Sequence, residues 1–199
     1  LVGSEMCIRD RYSIVYHNLI ENIMKAKKTG KLIYVYSEKI NGSGILRCIS
    51  LLEQCFQFSR LMTPNSNIFQ TPTNRFIFLH DNETIPLINL YNDSRNKNGE
   101  FIRVIFGTDK TTEGITLKNV QEIHIITPGW NFGKKNQAQG RGYRLGSHAD
   151  FGGKKMEVQV YLHCAVPRSL HDSVNFLQYT RSETKERNIY LFSYALLIA

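Results

Sequence analysis

The chain has 199 residues, 42% of them hydrophobic and 21% charged, which suits one soluble globular domain and excludes an intrinsically disordered chain. Its formal net charge of +8 favours a polyanionic partner, with nucleic acid as the first candidate. No uninterrupted apolar run approaches the roughly 18 residues that a membrane-spanning helix needs, so we expect no membrane partner.

The cysteines indicate the redox compartment. They form no CxxC pair and have no metal-ligand spacing with histidine; they are Cys7, Cys48, Cys55 and Cys164. This pattern predicts reduced thiols in an intracellular protein and no metal site within the chain.

Both ends of the sequence differ from ordinary protein termini. Residues 1–11 read LVGSEMCIRDR and resemble the conceptual translation of a sequencing adaptor, so we exclude them from reasoning about the fold. The last residues lie in an apolar, helix-like run without a cap, which predicts a fragment of a longer protein. The predicted organisation is an adaptor-derived artefact at 1–11, a domain over 12–181, and the start of a truncated C-terminal helical segment at 182–199.

Apolar periodicity divides the chain into alternating helices and strands. In chain order the prediction is a helix over 12–28, a strand over 31–36, a helix over 44–58, a loop over 62–74, a strand over 76–79, a helix over 84–91, a loop over 92–99, strands over 102–106 and 120–126, a helix over 132–145, a strand over 158–165 and a helix from 182. Strands that alternate with helices imply βαβ units. We therefore predict an α/β fold with a mostly parallel sheet flanked by helices on both sides.

Threonines follow two of the predicted strands. In parallel sheets, functional residues commonly lie beyond the carboxyl ends of the strands. Gly107-Thr108-Asp109 and Thr127-Pro128 lie at such ends. The hydroxyl groups of Thr108, Thr111 and Thr112, with nearby backbone amides, could hold phosphates of a nucleic-acid strand or a nucleotide.

The predicted helix over 132–145 carries Gln137, Arg141 and Arg144. These residues are four and three positions apart, so on a helix they share one face. By themselves such residues most often form a solvated polar face. Two fixed guanidiniums would nevertheless suit the charge on a phosphoryl group in transfer. Gly140 and Gly142 flank the first arginine, and we expect another backbone to approach closely there.

The parts of a complete nucleotide hydrolase are absent from the sequence. No GxxxxGK[ST] motif occurs, and the run Asn41-Gly42-Ser43-Gly44 lacks the lysine, so we interpret it as a turn. No compact acidic motif could hold Mg²⁺ and orient water. The arginines would therefore supply only the complementary half of a phosphoryl-transfer site.

Two stretches resemble conserved motifs of the superfamily 2 helicases. Gly107-Thr108-Asp109, followed by Glu113-Gly114-Ile115, resembles motif V. The run QAQGRGYR at 137–144 resembles motif VI, QxxGRxxR, and the residues around it keep the spacing of the Swi/Snf type. Residues 31–36 fall where motif IV would be. The resemblance covers nearly all of the chain outside 1–11.

Residues close to these motifs indicate a subgroup within the superfamily. Gly42-Ser43-Gly44-Ile45 and Ser147-His148 resemble the helicases of large DNA viruses, a group that includes poxvirus nucleoside triphosphatase I and the small subunit of the early transcription factor. Lys135 occupies a position that is commonly acidic in chromatin-remodelling relatives, which argues against close kinship with remodellers.

The resemblance implies a RecA-like three-layer fold, with residues 12–181 forming the C-terminal lobe of a two-lobe motor. ATP with Mg²⁺ would bind between this lobe and a missing N-terminal lobe. The P-loop and DExH/D motif of that missing lobe would provide most of the contacts to Mg²⁺. The implied catalytic residues are Arg141 and Arg144. The implied nucleotide-binding residues are Gln137, Gly114 and Asp109, and the implied nucleic-acid-binding residues are Thr108 and Thr112.

The resemblance thus implies an ATP-dependent nucleic-acid translocase or helicase in viral transcription. Its track would be DNA rather than RNA, and RNA polymerase is a candidate partner. The alternative is a non-catalytic transcription-factor subunit that uses the lobe for nucleic-acid binding or assembly.

Overall fold

The computed structural model describes residues 13–42, 44–80, 86–108, 114–127, 129, 132–153, 156–166 and 173–198. Six strands form one sheet: β1 Leu32–Tyr36, β2 Ser59–Arg60, β3 Arg75–Phe78, β4 Val104–Gly107, β5 Val120–Ile125 and β6 Gln159–Leu162. Their order is β2-β3-β4-β1-β5-β6, and every neighbouring pair is parallel. Strands β1, β4 and β5 are buried along their whole length, as expected for a parallel sheet covered on both faces.

The described α-helices are α1 Ile14–Thr29, α2 Ile45–Phe56, α3 Leu87–Tyr91, α4 Phe132–Gly140 and α5 Val174–Ile198. Local signals set the bounds of α1. The Ser13 side chain accepts a hydrogen bond from the Val15 amide, and Gly30 ends the helix in the left-handed region at φ 70°. Short 3₁₀-helices cover Ser66–Gln70, Ser94–Asn96 and Ala149–Phe151.

The two faces of the sheet carry separate apolar clusters, because successive strand side chains point to opposite faces. Ile33 and Phe106 belong to the cluster that includes the buried residues of α1 and α2. Tyr34 and Ile105, each the neighbour of one of these, belong to the cluster that includes α3 and Ala138 of α4. The predicted α/β fold with a parallel sheet between helical layers is confirmed, and it has the three layers of a RecA-like domain.

The predicted helix over 132–145 is wrong at its end. Helix α4 stops at Gly140, and residues 141–148 follow as turns. The helix ends in turn-type hydrogen bonds that span three residues. The Arg141 amide donates to the Ala138 carbonyl (3.3 Å), and the Gly142 amide donates to the Gln139 carbonyl (3.0 Å). Arg141 and Arg144 therefore do not share a helix face with Gln137.

Other bounds also differ from the sequence prediction. The terminal helix begins at Val174 rather than at 182, so part of it falls within the predicted domain over 12–181. Strand β2 has only two residues and was not predicted, because a period needs more positions than that. Of the helix predicted over 84–91, α3 forms Leu87–Tyr91, and residues 84 and 85 lie outside the described part. Residues 1–11 also lie outside it.

Candidate functional site

Polar residues follow three neighbouring strands at one edge of the sheet. Ser37 follows β1, Thr108 follows β4, and Thr127 lies two residues beyond β5. The Ser37 amide donates to the Gly107 carbonyl (3.2 Å), and the hydroxyl oxygens of Ser37 and Thr127 are 3.1 Å apart. We call Ser37, Glu38, Thr108 and Thr127 the carboxyl-edge cluster. The two threonines lie where the strand pattern predicted them.

The carboxyl-edge cluster is hydrogen-bonded within itself. The Glu38 amide donates to the Thr127 hydroxyl (3.0 Å), and the Ser37 hydroxyl donates to the Lys39 carbonyl (2.9 Å). Thr108 is only 2% exposed. Because buried hydroxyls with partners have few alternative positions, the geometry of this edge is pre-organised.

The two candidate catalytic residues lie on a loop that follows α4. We call residues 141–148 the arginine loop. The Arg144 guanidinium donates to the Thr116 hydroxyl (2.8 Å), and the Arg141 carbonyl accepts a bond from the Leu117 amide (3.0 Å). The Arg141 guanidinium also reaches the Ile115 carbonyl at 3.5 Å. The arginine loop is thus held against residues 115–117.

The arginine loop lies at the opposite end of β5 from the carboxyl-edge cluster. The Asn119 amide donates to the Ser147 carbonyl (2.9 Å), and His148 Nε2 lies 2.6 Å from the carbonyl oxygen of Val120, the first residue of β5. Thr127 lies beyond the other end of that strand. At about 3.3 Å per strand residue, the two regions are on the order of 20 Å apart.

Gly142 packs where a larger residue could not. A Cβ atom there would lie 2.9 Å from Ile123 Cδ1 and 3.3 Å from Val120 Cγ1. At Gly140 a Cβ would meet nothing within 4 Å. The expected close approach of another backbone is therefore wrong within the described part of the chain: buried side chains of β5 approach Gly142, and no described residue lies within 4 Å of a Cβ at Gly140.

The guanidiniums of the arginine loop have no compensating carboxylate among the described residues. Neither Arg141 nor Arg144 forms an ion pair with any carboxylate in the described part of the chain. Arg144 is exposed and Arg141 half-buried, so an anion from outside can reach this charge.

The remaining predicted site residues are placed as follows. Gln137 is exposed on α4, about one turn before Arg141. Gly114 has a φ of 79° and directly precedes Ile115, so it lies next to the segment that holds the arginine loop. Asp109 and Thr112 lie outside the described residues, as do Thr111 and Glu113.

The segment before α2 is a closed turn. The amides of Gly44, Ile45 and Leu46 donate to the carbonyls of Asn41, Lys39 and Ile40, respectively. These amides are thus already bonded within the turn and do not point at a phosphate. The bond between the Gly44 amide and the Asn41 carbonyl agrees with the interpretation of this run as a turn, and residue 43 lies outside the described part.

Sequence reasoning missed the residues that support the arginine loop. The Asn92 amide group donates to the Thr116 carbonyl (2.8 Å), and its carbonyl oxygen accepts from the Lys118 amide (2.7 Å). Asn119 donates to an Asp150 carboxylate oxygen (2.7 Å). No spacing rule connects Asn92 with a segment 24 residues away, and no sequence signal could have found it.

The fold and the site define a parallel α/β domain with a pre-organised polar edge and a separate loop that presents two arginines without a carboxylate partner in the described part of the chain. No family model matches the chain. It is 33% identical over 188 residues to "Putative helicase 087L" of Invertebrate iridescent virus 3, covering 90% of this chain and 19% of that protein. It is 31% identical over 186 residues to "Putative helicase 009L" of Frog virus 3, covering 89% of this chain and 18% of that protein. A "Termination factor NPH-I homolog" of African swine fever virus is 32% identical over 77 residues, which are 39% of this chain and 11% of that protein.

The chain belongs to the helicase-like ATPase family, and the predicted kinship with helicases of large DNA viruses is confirmed. It spans about a fifth of the length of the first two of these relatives. The solved C-terminal part of the Fun30 ATPase domain aligns with a TM-score of 0.49 at 15% identity, covering 84% of this chain and 45% of that chain. That likeness is too distant to carry any statement about residues or activity. Of the helices that the structure describes, none is both long and apolar enough to cross a membrane.

Proposed function

We propose that this chain is the C-terminal lobe of an ATP-dependent nucleic-acid translocase or helicase. It would supply the arginines of motif VI and the turn of motif V to an ATP site shared with an N-terminal lobe of the same protein. The observation that carries the proposal is the arginine loop, which holds Arg141 and Arg144 beside Ile115 and Thr116 and leaves both guanidiniums without a described carboxylate partner.

The donors of the arginine loop fit a polyphosphate better than a metal ion. Guanidiniums donate hydrogen bonds and never accept them, so this surface suits the γ-phosphate of ATP. Among the described residues no group of three histidine, cysteine or carboxylate side chains could hold a metal ion. In the proposal, Mg²⁺ would be held mainly by the N-terminal lobe, as the resemblance to superfamily 2 helicases implies. When bound with ATP, it neutralises phosphate charge.

Each residue would contribute a binding or electrostatic effect. Arg141 and Arg144 would stabilise negative charge as it develops on the transferred phosphoryl group, a contribution on the order of 10³-fold or more in rate. Thr116 and the Ile115 carbonyl orient these guanidiniums, so that little reorganisation is needed during the reaction. Gln137 would contact the nucleotide from α4, and Asp109 and Gly114 would join the nucleotide site to the strand.

The carboxyl-edge cluster is the proposed track for nucleic acid. Thr112 would contact backbone phosphates, and Thr108, which is 2% exposed, would do so once the chain around it shifts; the net charge of +8 would contribute a salt-dependent attraction. We propose DNA as the track and viral transcription as the setting, with RNA polymerase as a candidate partner. One relative is named "Termination factor NPH-I homolog", which supports transcription as the setting. Another relative is named "Putative ATP-dependent RNA helicase", so the test must include RNA.

The test compares this chain with the two-lobe protein in ATP hydrolysis, measured without nucleic acid, with DNA and with RNA. We expect the chain alone to show no turnover above background, and the two-lobe protein to hydrolyse ATP with stimulation by DNA. Clear turnover by the chain alone would refute the shared-site argument. Nucleic-acid binding by the two-lobe protein without any hydrolysis would instead favour the non-catalytic transcription-factor subunit.

A further inference from the structure

One ion pair connects the carboxyl-edge cluster with the helix that leads to the arginine loop. The Lys134 ammonium lies 3.2 Å from Glu38 Oε1. Glu38 belongs to the segment after β1, whereas Lys134 lies in the first turn of α4. The two residues are far apart in the sequence, so the sheet topology alone brings them together.

The environment of Glu38 distinguishes this pair from an ordinary surface ion pair. The Glu38 side chain is 22% exposed, and its Oε1 atom is enclosed and has no hydrogen-bond partner besides the ionic contact. Exposed pairs are commonly close to neutral in energy, because water competes for both charges. An enclosed carboxylate oxygen cannot bind water instead, so the loss of its cation partner would leave a buried charge uncompensated.

Both ends of this contact are attached to defined elements of the fold. The Glu38 amide donates to the Thr127 hydroxyl (3.0 Å), and the adjacent Ser37 amide donates to the Gly107 carbonyl (3.2 Å), next to Thr108. On the other side, α4 is anchored by Ala138, which is 3% exposed in the apolar cluster. Helix α4 ends two residues later at Gly140 and delivers Arg141 directly.

We propose that the Glu38–Lys134 ion pair is a positioning contact that couples nucleic-acid occupancy at the carboxyl edge to the placement of Arg141 and Arg144. The inference rests on the proposed function and assigns a role to two residues outside motifs V and VI. A displacement of the segment after β1 acts on Lys134, and α4 carries the movement along its length of roughly 13 Å, at 1.5 Å per residue. The ion pair therefore affects stimulation by nucleic acid rather than ATP binding.

The experiment uses the two-lobe protein with Glu38→Gln and Lys134→Gln, each of which removes one charge and keeps a polar side chain. Lys135→Gln is the matched control, since Lys135 is the next residue of α4 and experiences Glu183 and Glu186 of α5 instead. The charge-swapped double variant E38K/K134E tests for rescue. ATP hydrolysis is measured with and without saturating DNA, together with the KM for ATP, the Kd for DNA and the melting temperature.

We expect each single variant to lose at least roughly fivefold in the ratio of DNA-stimulated to basal kcat, which is the lower end of ordinary coupling energies. The KM for ATP and the Kd for DNA should stay within about twofold of wild type, Lys135→Gln should keep the wild-type ratio, and E38K/K134E should recover part of it. The proposed coupling would be overturned if both single variants kept the wild-type ratio of DNA-stimulated to basal kcat. It would also be overturned if Lys135→Gln lost as much of that ratio as they do. A wild-type protein without ATP hydrolysis would instead refute the proposed function itself.

Discussion

The carboxyl-edge cluster and the arginine loop lie at opposite ends of β5 and differ in how complete they are. At the carboxyl edge, Ser37, Glu38 and Thr127 bond to one another, and Thr108 is buried. On the arginine loop, Arg141 and Arg144 are fixed through neutral oxygen acceptors and keep uncompensated charge among the described residues. One region is internally satisfied, and the other lacks its counter-charge.

This difference indicates which region depends on a second surface. A hydrogen-bonded edge can keep its geometry within this chain, because its polar groups already have partners. Two cations on one loop repel each other, and an anion that binds there would offset this repulsion. The arginine loop is therefore the region where a second lobe and a nucleotide would have the larger effect.

Arg144→Ala in the two-lobe protein should have the largest effect. In the proposed mechanism the charge of Arg144 would act on the reacting phosphoryl group, so kcat should fall on the order of 10³-fold or more, while ATP binding stays mostly intact. Steady-state hydrolysis and nucleotide titration measure the two quantities. The control is Arg187→Ala, which removes an equal charge from an exposed position of α5. Equal hydrolysis by the Arg144 variant and wild type would remove Arg144 from the mechanism.

Acid should lower the free energy of unfolding through a histidine pair that includes a residue of β5, the strand between the two regions. On β5, His124 Nδ1 lies 2.9 Å from His163 Nε2, and burial with the nearby His124 lowers the pKa of His163 to about 4. Burial also lowers the pKa of His124, partly opposed by Glu122. The unfolded chain binds a proton near pH 6.5, well before folded His163 does. The part of the unfolding free energy that depends on neutral His163 is therefore fully present above pH 6.5 and is lost as the pH falls towards 4.

The size of this loss for His163 is about 3 kcal/mol of unfolding free energy. Denaturant titrations of this chain at several pH values measure it. His163→Gln should flatten the profile in that window, because glutamine does not titrate there. A variant with the same pH slope as wild type would show that His163 does not cause the acid sensitivity.

Gly142→Ala should destabilise the support of the arginine loop. The added methyl would meet the fully buried Ile123 side chain, so we expect a loss of about 1–3 kcal/mol in the free energy of unfolding. Gly140→Ala is the matched control, because its methyl meets nothing within 4 Å and the change should stabilise by roughly 0.5 kcal/mol. Equal stability of the two variants would contradict the packing of residue 142 against β5.

Thr127→Val should have the smallest effect, at the carboxyl edge. It removes the hydroxyl that bonds Ser37 and the Glu38 amide, at a cost of about 1 kcal/mol in unfolding free energy. Thr127→Ser keeps the hydroxyl and serves as the control. Should both variants match wild type, the carboxyl-edge cluster would not be held together by Thr127.

Much of the fold was predictable because its signals are local. Strands such as β1 and β4 are short apolar runs, and α1 has both a helical period and end signals at Ser13 and Gly30. The end of α4 was not predictable in this way. The run around Arg141 has helix-compatible spacing, but the turn bonds at Ala138 and Gln139 and the packing of Gly142 on β5 end the helix.

By itself, the sequence determined the α/β class, the threonines at the strand ends and the kinship with viral helicases, since these depend on period and on short motifs. Only the tertiary structure decided that Arg141 and Arg144 lie on a loop near the amino end of β5, and that Glu38 meets Lys134. The physical reason is that such contacts join residues distant in the chain. Their geometry depends on sheet order and packing, which no local pattern records.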